Sequence, residues 1–326
     1  MGFWQRALDN PDWVAVIEPD GTEHKAGDLL DRVNQIVHAL RERGLTEGDG
    51  IVALIPNGIA PQELSLAALQ AGWYYTPINW HFTPPEISYI VRDTQAKAFF
   101  VHERFAEAGV AAADEAGIPA DARFSYGAVP GFMDVATLRE GQPTTLPENR
   151  SAGAAMHYTS GTTGRPKGVR RGLTGLDPDI SADLLTGLLQ FFGITEGQPN
   201  VHLVTSPTYH TAVTIFGGSA LQFGPRGGDM PALGLRRADS HPERGATLRC
   251  SVREIHPAGG VDSLHELLSC LVAGPQPERD EGERMRTDEF EAIVGRNPGG
   301  EFLRERDVTS HVRAEPFGAI PPDDGP

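Results

Sequence analysis

Residues 158–169 read Tyr-Thr-Ser-Gly-Thr-Thr-Gly-Arg-Pro-Lys-Gly-Val, a run whose side chains and backbone suit a phosphate chain. Thr159, Ser160, Thr162 and Thr163 offer hydroxyl donors without bulk, while Gly161, Gly164 and Gly168 let backbone N–H groups come close to anionic oxygens. Lys167 adds a positive charge on a stem long enough to follow a moving phosphate. Lysine is scarce in this chain, occurring only as Lys25, Lys97 and Lys167. A Gly/Ser/Thr cluster by itself has the composition of a linker. Here it follows the apolar run Ala154-Ala155-Met156-His157-Tyr158, read as a buried strand, and a strand feeding a glycine-rich turn is a recurrent phosphate site. The order is not that of a Walker A loop, in which Ser or Thr follows the lysine; Gly168 and Val169 follow it here.

A second candidate is the segment Ser206-Pro207-Thr208-Tyr209-His210-Thr211-Ala212. A histidine ring can donate or accept a hydrogen bond and can also pack as a wall. A lone histidine is more often structural, so type and spacing alone leave His210 unassigned. Arg170 and Arg171 follow the glycine-rich run, where a solvated or steering role competes with phosphate contact.

Over its whole length, the 158–169 string resembles the phosphate-binding signature of the acyl-adenylate-forming enzymes, which include acyl-CoA synthetases, firefly-type luciferases and peptide-synthetase adenylation domains. The resemblance extends through Gly48-Asp49-Gly50-Ile51-Val52-Ala53-Leu54-Ile55-Pro56-Asn57 and through Ala67 to Asn79, and covers about the first 224 residues. It implies an ATP-dependent acyl-CoA synthetase lineage acting on a fatty or aryl acid: carboxylate and ATP give acyl-AMP and pyrophosphate, and CoA then takes the acyl group. By the same resemblance Thr159, Ser160, Gly161, Thr162, Thr163 and Gly164 hold the phosphates and Lys167 stabilises the leaving pyrophosphate. His210 borders the acyl-adenylate and Tyr209 walls the acyl pocket. The implied partners are small molecules: a carboxylic acid, ATP with Mg²⁺, and CoA as co-substrate.

The elements that must position these groups follow from periodicity. Leu29, Leu30, Val33, Ile36, Val37 and Leu40 recur at helical spacing, with Gly44 as a stop signal. Strands are expected at Gly50–Ile55, Trp73–Ile78, Ala98–Val101 and Val201–Thr205, and helices at Pro61–Gly72 and Glu103–Ala116. Thr83-Pro84-Pro85-Glu86 is a capping-box signature for a helix through Val91. Ser181 is expected to cap a helix whose inner stripe is Leu184, Leu185, Leu188, Leu189 and Phe192. Alternating strands and helices give an α/β fold, and with the resemblance this is the N-terminal portion of the acyl-adenylate-forming fold: mainly parallel sheets with flanking helices.

Composition narrows the partners. A net charge of −16 over 326 residues argues against nucleic acid or an anionic membrane. Two cysteines are too few for a disulfide framework, and neither a signal peptide nor a membrane span is expected, which points to the cytoplasm. Cys250, His256, His265 and Cys270 match no zinc spacing, and Asp20-Gly21 reads as a turn and not a calcium loop. Composition leaves the oligomeric state open.

The resemblance stops at Phe223-Gly224. Residues 225–326 hold thirteen arginines and no lysine, and are rich in Gly, Pro, Glu and Asp. Within them Val261–Val272 is the one convincing helix pattern, and the rest reads as poorly structured. The family's aromatic-Gly-x-Thr-Glu segment, ribose-binding aspartate and late lysine are not found; Thr195-Glu196 lies too early. The expectation is a truncated large domain (1–224) followed by a tail read in a shifted frame, with a divergent domain as the competing account. Such a chain is expected to be weakly active or inactive. The alternatives are a non-catalytic nucleotide-binding or interaction module, or an adenylation domain that loads a carrier protein.

Overall fold

The computed structural model describes residues 1–159, 166–191, 201–204, 206–224 and 232–235, all in one structural unit. In chain order the elements are α1 (Phe3–Asp9), β1 (Val14–Ile17), β2 (Glu23–Lys25), α2 (Ala26–Glu42), β3 (Gly50–Leu54), α3 (Ile59–Ala71), β4 (Tyr74–Pro77), α4 (Pro84–Asp93), β5 (Ala98–His102) and α5 (Ala106–Ala116). There follow β6 (Arg123–Tyr126), β7 (Met133–Asp134), α6 (Val135–Arg139), β8 (Ala154–Ala155), β9 (His157–Thr159), β10 (Lys167–Val169), α7 (Pro178–Phe191), β11 (Val201–Val204), α8 (Thr211–Phe223) and β12 (Ala232–Leu235).

Six strands form a parallel sheet in the order β7-β6-β5-β3-β4-β8. Its central strands are apolar throughout because both faces are covered. Alternation along each strand divides the core in two. Ile51, Ala53 and Phe100 point to the side packed by α2, α3 and α6, with Leu29, Val33, Leu64 and Leu138. Val52, Leu54, Phe99 and Val101 point to the other, packed by α4 and α5 through Ile87, Ile90, Ala112 and Ala113. Each of the larger side chains among these, fully buried, contributes about 1.5–3 kcal/mol. A second sheet, β11-β12-β1-β2, is parallel except for the β1–β2 pair. It includes residues 232–235, inside the segment beyond 224. The helix expected at Val261–Val272 and the Cys/His cluster lie outside the described residues.

Local chemistry explains most boundaries. All six apolar positions expected on α2 are buried, and Gly44 just past its end takes φ 90°, a left-handed turn that favours glycine. The Thr83–Glu86 capping box forms, with the Thr83 backbone N–H 2.7 Å from the Glu86 carboxylate; these bonds hold the Glu86 carboxyl below its ordinary range. One polar face of α2 ties down the chain before β8: Asn34, Gln35, His38 and Arg41 bond the backbone carbonyls of Thr144, Gln142, Thr145 and Glu148. Asp20 turns the chain by accepting from Thr22 N at 2.9 Å.

Two local expectations differ from what is found. The run 154–158 is not one strand: β8 joins the six-stranded sheet, and β9 leaves it to pair with β10. Helix α7 is capped by Asp177, not Ser181. The Asp177 carboxylate accepts from Asp179 N at 2.8 Å and Ile180 N at 3.3 Å, and Pro178 takes the first helical position. Of the expected stripe Leu189 is buried, beside Ala182 and Thr186, while Leu184 is 70% exposed; Phe192 lies outside the described residues. Among the described residues no helix is long and apolar enough to cross a membrane.

Candidate functional site

The candidate phosphate loop is the tip of an antiparallel hairpin. Strand β9 leads in and β10 leads out, with Lys167 paired to Thr159, Gly168 to Tyr158 and Val169 to His157. Ser160, Gly161, Thr162, Thr163 and Gly164 lie outside the described residues. Lys167 stands exposed at the first position of β10. The lysine thus faces the residue that opens the loop, across its neck.

The hairpin is anchored on three sides. The Tyr158 hydroxyl donates to the Asp93 carboxylate at the end of α4; burial, followed by this bond, pushes the phenol far above its ordinary range. The Tyr158 ring crosses the backbone opposite, and a Cβ on Gly168 would lie 2.7 Å from Tyr158 Cζ and 2.5 Å from Met156 Cε. That is the physical reason for a glycine directly after the lysine. Arg170 turns away from the loop: it donates to the Gly48 carbonyl at 2.7 Å, with its guanidinium 4.3 Å from the Tyr74 ring centroid. The Tyr74 hydroxyl donates to the Arg171 carbonyl. Arg170 is therefore an anchor of the hairpin.

The Tyr209–His210 segment is a turn that caps the carboxyl edge of the six-stranded sheet. Strand β3 lies between β4 and β5. The helices that follow β3 and β4 lie on opposite faces, which is where parallel sheets open a crevice for ligands. Asn57, just past β3, fixes the turn with two bonds: Nδ2 donates to the Ser206 carbonyl at 2.9 Å and Oδ1 accepts from Thr208 N at 2.8 Å. Thr214 Oγ1 donates to the Thr208 carbonyl at 2.6 Å. His210 occupies the N-cap position of α8 without using its side chain as a cap. Its ring lies 4.6 Å from that of Tyr209, and burial holds its pKa below the ordinary histidine value. Trp80, just past β4, meets Tyr209 edge-on at 4.6 Å and stacks on Phe105 at 6.0 Å.

His157 links the two halves. Its side chain is 8% exposed, beside the Tyr209 backbone and within electrostatic reach of Arg171 and His210. Burial, reinforced by those two neighbours, pushes its pKa down to about 4. The Tyr209 backbone favours the protonated ring, yet neither ring nitrogen reaches hydrogen-bond geometry with any group. The structure thus brings His157, Tyr209 and His210 together at the base of the hairpin. Sequence reading had placed Asn57 in the scaffold and His157 in an apolar strand, and had passed over Trp80 and Asp93. The available signals were a polar ring inside an apolar run and an Asn or Trp at the end of a strand.

Among the described residues no cluster of His, Cys, Asp or Glu is arranged to hold a metal ion. A surface cavity of about 530 Å³ lined by Ser125, Val129 and Phe132 lies at the opposite edge of the sheet from β8.

Residues 3–217 match the family described as AMP-binding enzyme. The chain belongs to that family. Among its relatives, the feruloyl-CoA synthase of an Amycolatopsis species is 32% identical over 173 residues, covering 52% of this chain and 32% of its own. The fatty acid–[acyl-carrier-protein] ligase ScoC of Streptomyces coeruleorubidus is 29% identical over 136 residues, covering 42% of this chain and 25% of its own. A fatty acyl CoA synthetase of Mycobacterium tuberculosis shares the fold with a TM-score of 0.55 at 20% identity, over 72% of this chain and 44% of its own. The chain thus spans about a third of the length of the feruloyl-CoA synthase it matches.

Proposed function

We propose that this chain carries the phosphate-holding and acyl-facing parts of a site that activates a carboxylic acid with ATP for transfer to CoA. The observation that carries the reading is the packing of the Tyr209–His210 turn against His157, two residues before the loop opens at Thr159. Anion-holding and acyl-facing groups then share one crevice. Family membership and acyl-CoA-forming relatives support the reaction class.

A carboxylate oxygen attacks the α-phosphorus of ATP, the new O–P bond forms as the bridging P–O bond breaks, and pyrophosphate leaves. Charge grows on the leaving oxygens, so catalysis is mainly positioning and charge stabilisation. Backbone and hydroxyl groups of Thr159, Ser160, Gly161, Thr162, Thr163 and Gly164 hold the departing phosphates, and Lys167 stabilises their charge. Tyr209 and His210 border the acyl-adenylate. CoA thiolate then attacks the acyl carbon, forming the thioester as the bond to AMP breaks. Mg²⁺ arrives as the ATP complex, where it neutralises part of the phosphate charge. The acid is fatty or aryl, a reading supported by the feruloyl-CoA synthase and the fatty acid ligase among the relatives.

Carboxylate-dependent ATP–pyrophosphate exchange tests this, with ferulate and hexadecanoate as first acids. Weak exchange that disappears in Lys167→Ala is expected. If no acid supports exchange but ATP binding persists and depends on Lys167, the chain is a non-catalytic nucleotide-binding module. Loading of a carrier protein in place of CoA is the second reading, favoured by the ScoC relative; thioester formation on CoA against a carrier protein separates the two. We read residues 225–326 as out of frame, so another frame past codon 225 should encode the aromatic-Gly-x-Thr-Glu segment.

A further inference from the structure

Buried polar side chains in folded proteins nearly always find a partner. His157 does not: it is 8% exposed, and neither Nδ1 nor Nε2 has one. It sits on the strand that opens the phosphate loop, and the backbone of Tyr209, on the turn that presents His210, lies beside it. That turn is otherwise held from the far side, by Asn57.

We propose that His157 is a positioning residue: its ring N–H donates to the Tyr209 carbonyl in solution, registering the acyl-facing turn to the strand that enters the phosphate loop. The proposal rests on the reading of the crevice as an acyl-adenylate site, and it adds a residue that this reading did not use. The bond needs only one ring N–H, which the neutral ring already carries. Burial first, and then the nearby Arg171, disfavour a second proton on the ring. A small approach of the turn then satisfies the otherwise orphaned donor. Tyr209 carries the consequence outward, because its ring meets Trp80 edge-on at 4.6 Å and packs on His210 at the same distance.

The test compares His157→Met with His157→Gln, side chains of similar length of which only Gln can donate. The chain has four tryptophans. Labelling with 5-fluorotryptophan, with the Trp80 line assigned by Trp80→Phe, reports the turn in the ligand-free protein. The Met variant is expected to shift the Trp80 line and the Gln variant to return it towards the wild-type position. Equal displacement in both variants, or none in either, overturns the proposal by reducing His157 to packing. A check without substitution uses [¹⁵N]histidine and [¹³C]carbonyl-tyrosine in the wild type. Scalar coupling across the His157–Tyr209 hydrogen bond is expected, and a His157 ring without it overturns the proposal even if a variant does not fold. In the exchange assay the Met variant should raise KM for the acid about tenfold with KM for ATP unchanged, and Gln should recover most of it. A wild type without exchange removes the acid-activating reading, while the two spectroscopic arms still decide the role of His157.

Discussion

Glu63 and His157 are both deep polar groups, 2% and 8% exposed, and their surroundings treat them in opposite ways. Around Glu63 three elements converge to answer one carboxylate. Arg32 Nε on α2 lies 2.7 Å from Oε1, Arg139 on α6 lies 3.6 Å away, and the Tyr126 hydroxyl on β6 donates to Oε2 at 2.9 Å. Around His157 the neighbours are cationic or unaligned, and the ring is left neutral and unbonded. The first arrangement joins helices to a sheet by charge, through two ion pairs and one hydrogen bond. The second leaves one hydrogen bond unmade beside the turn that the crevice needs. Polar burial is a rivet in the scaffold and an unfilled valence at the site.

The sharpest way to break this comparison is to remove the rivet. Glu63→Ala leaves two guanidinium groups facing each other with no counter-charge, a change that costs about 3–5 kcal/mol when the partners are fully buried. The Arg32 and Arg139 side chains keep 26% and 20% exposure, so the loss belongs near the lower end, about 3 kcal/mol. Urea unfolding monitored by circular dichroism measures it. A loss under about 1 kcal/mol would place Glu63 among the weak surface pairs and end its status as a rivet.

Acid probes the other member of the pair. The unfolded His157 takes up a proton near pH 6.5, whereas the folded ring resists it down to about 4. Between those values the unfolded state holds more protons, so stability falls as pH falls, and above 6.5 this contribution is flat. The shift is worth roughly 3 kcal/mol by pH 4, fully developed below the folded pKa. His24, His102, His202 and His210 are also held below their ordinary value and add slopes of the same sign. The informative quantity is therefore the difference between wild type and His157→Met, which should grow in favour of the variant as pH drops from 6.5 to about 4. Parallel curves would contradict the buried, neutral histidine.

Much of the scaffold was legible because its causes are local. The capping box at Thr83–Glu86 lies within four residues and forms as read, and the apolar period of α2 names its buried face residue by residue. The site was legible only in part. The glycine-rich string marks the loop, but the reason for Gly168 is a tyrosine ring across the hairpin, visible only once Tyr158 is paired with it. His157 passed for a strand residue because its neighbours are some fifty positions away in sequence, at Tyr209 and His210. Helix α7 was misread for a similar reason. Its leucine-rich face looks like a core stripe, yet its phase is set by the Asp177 cap and by Asp179, whose carboxylate accepts from Gly2 N at 3.0 Å across 177 residues of sequence.

A smaller effect is expected at the hairpin, between the two poles. In Gly168→Ala the new methyl group meets the Tyr158 ring at 2.7 Å and Met156 Cε at 2.5 Å. Met156 can rotate aside, but the Tyr158 hydroxyl is tied to Asp93. The strain should cost about 2 kcal/mol, within the range for overpacked sites. Tyr158→Ala in the same chain should relieve most of it, as the interaction term of a double-mutant cycle on urea unfolding would show. Additive losses would mean that the glycine is needed for the backbone and not for the ring.

The mildest prediction tests the corrected start of α7. Asp177→Ala removes the acceptor that satisfies the N–H groups of Asp179 and Ile180. A lost N-cap of this kind costs about 1 kcal/mol. Ser181→Ala, at the position the sequence favoured, lies inside the helix and should change stability by less than about 0.5 kcal/mol. The pair of variants settles the phase of the helix from either end. A larger loss at Ser181 than at Asp177 would restore the original cap and turn Leu184, now 70% exposed, back towards the core. The expected order keeps Ala182, Thr186 and Leu189 inside and leaves Leu184 and Leu185 to solvent.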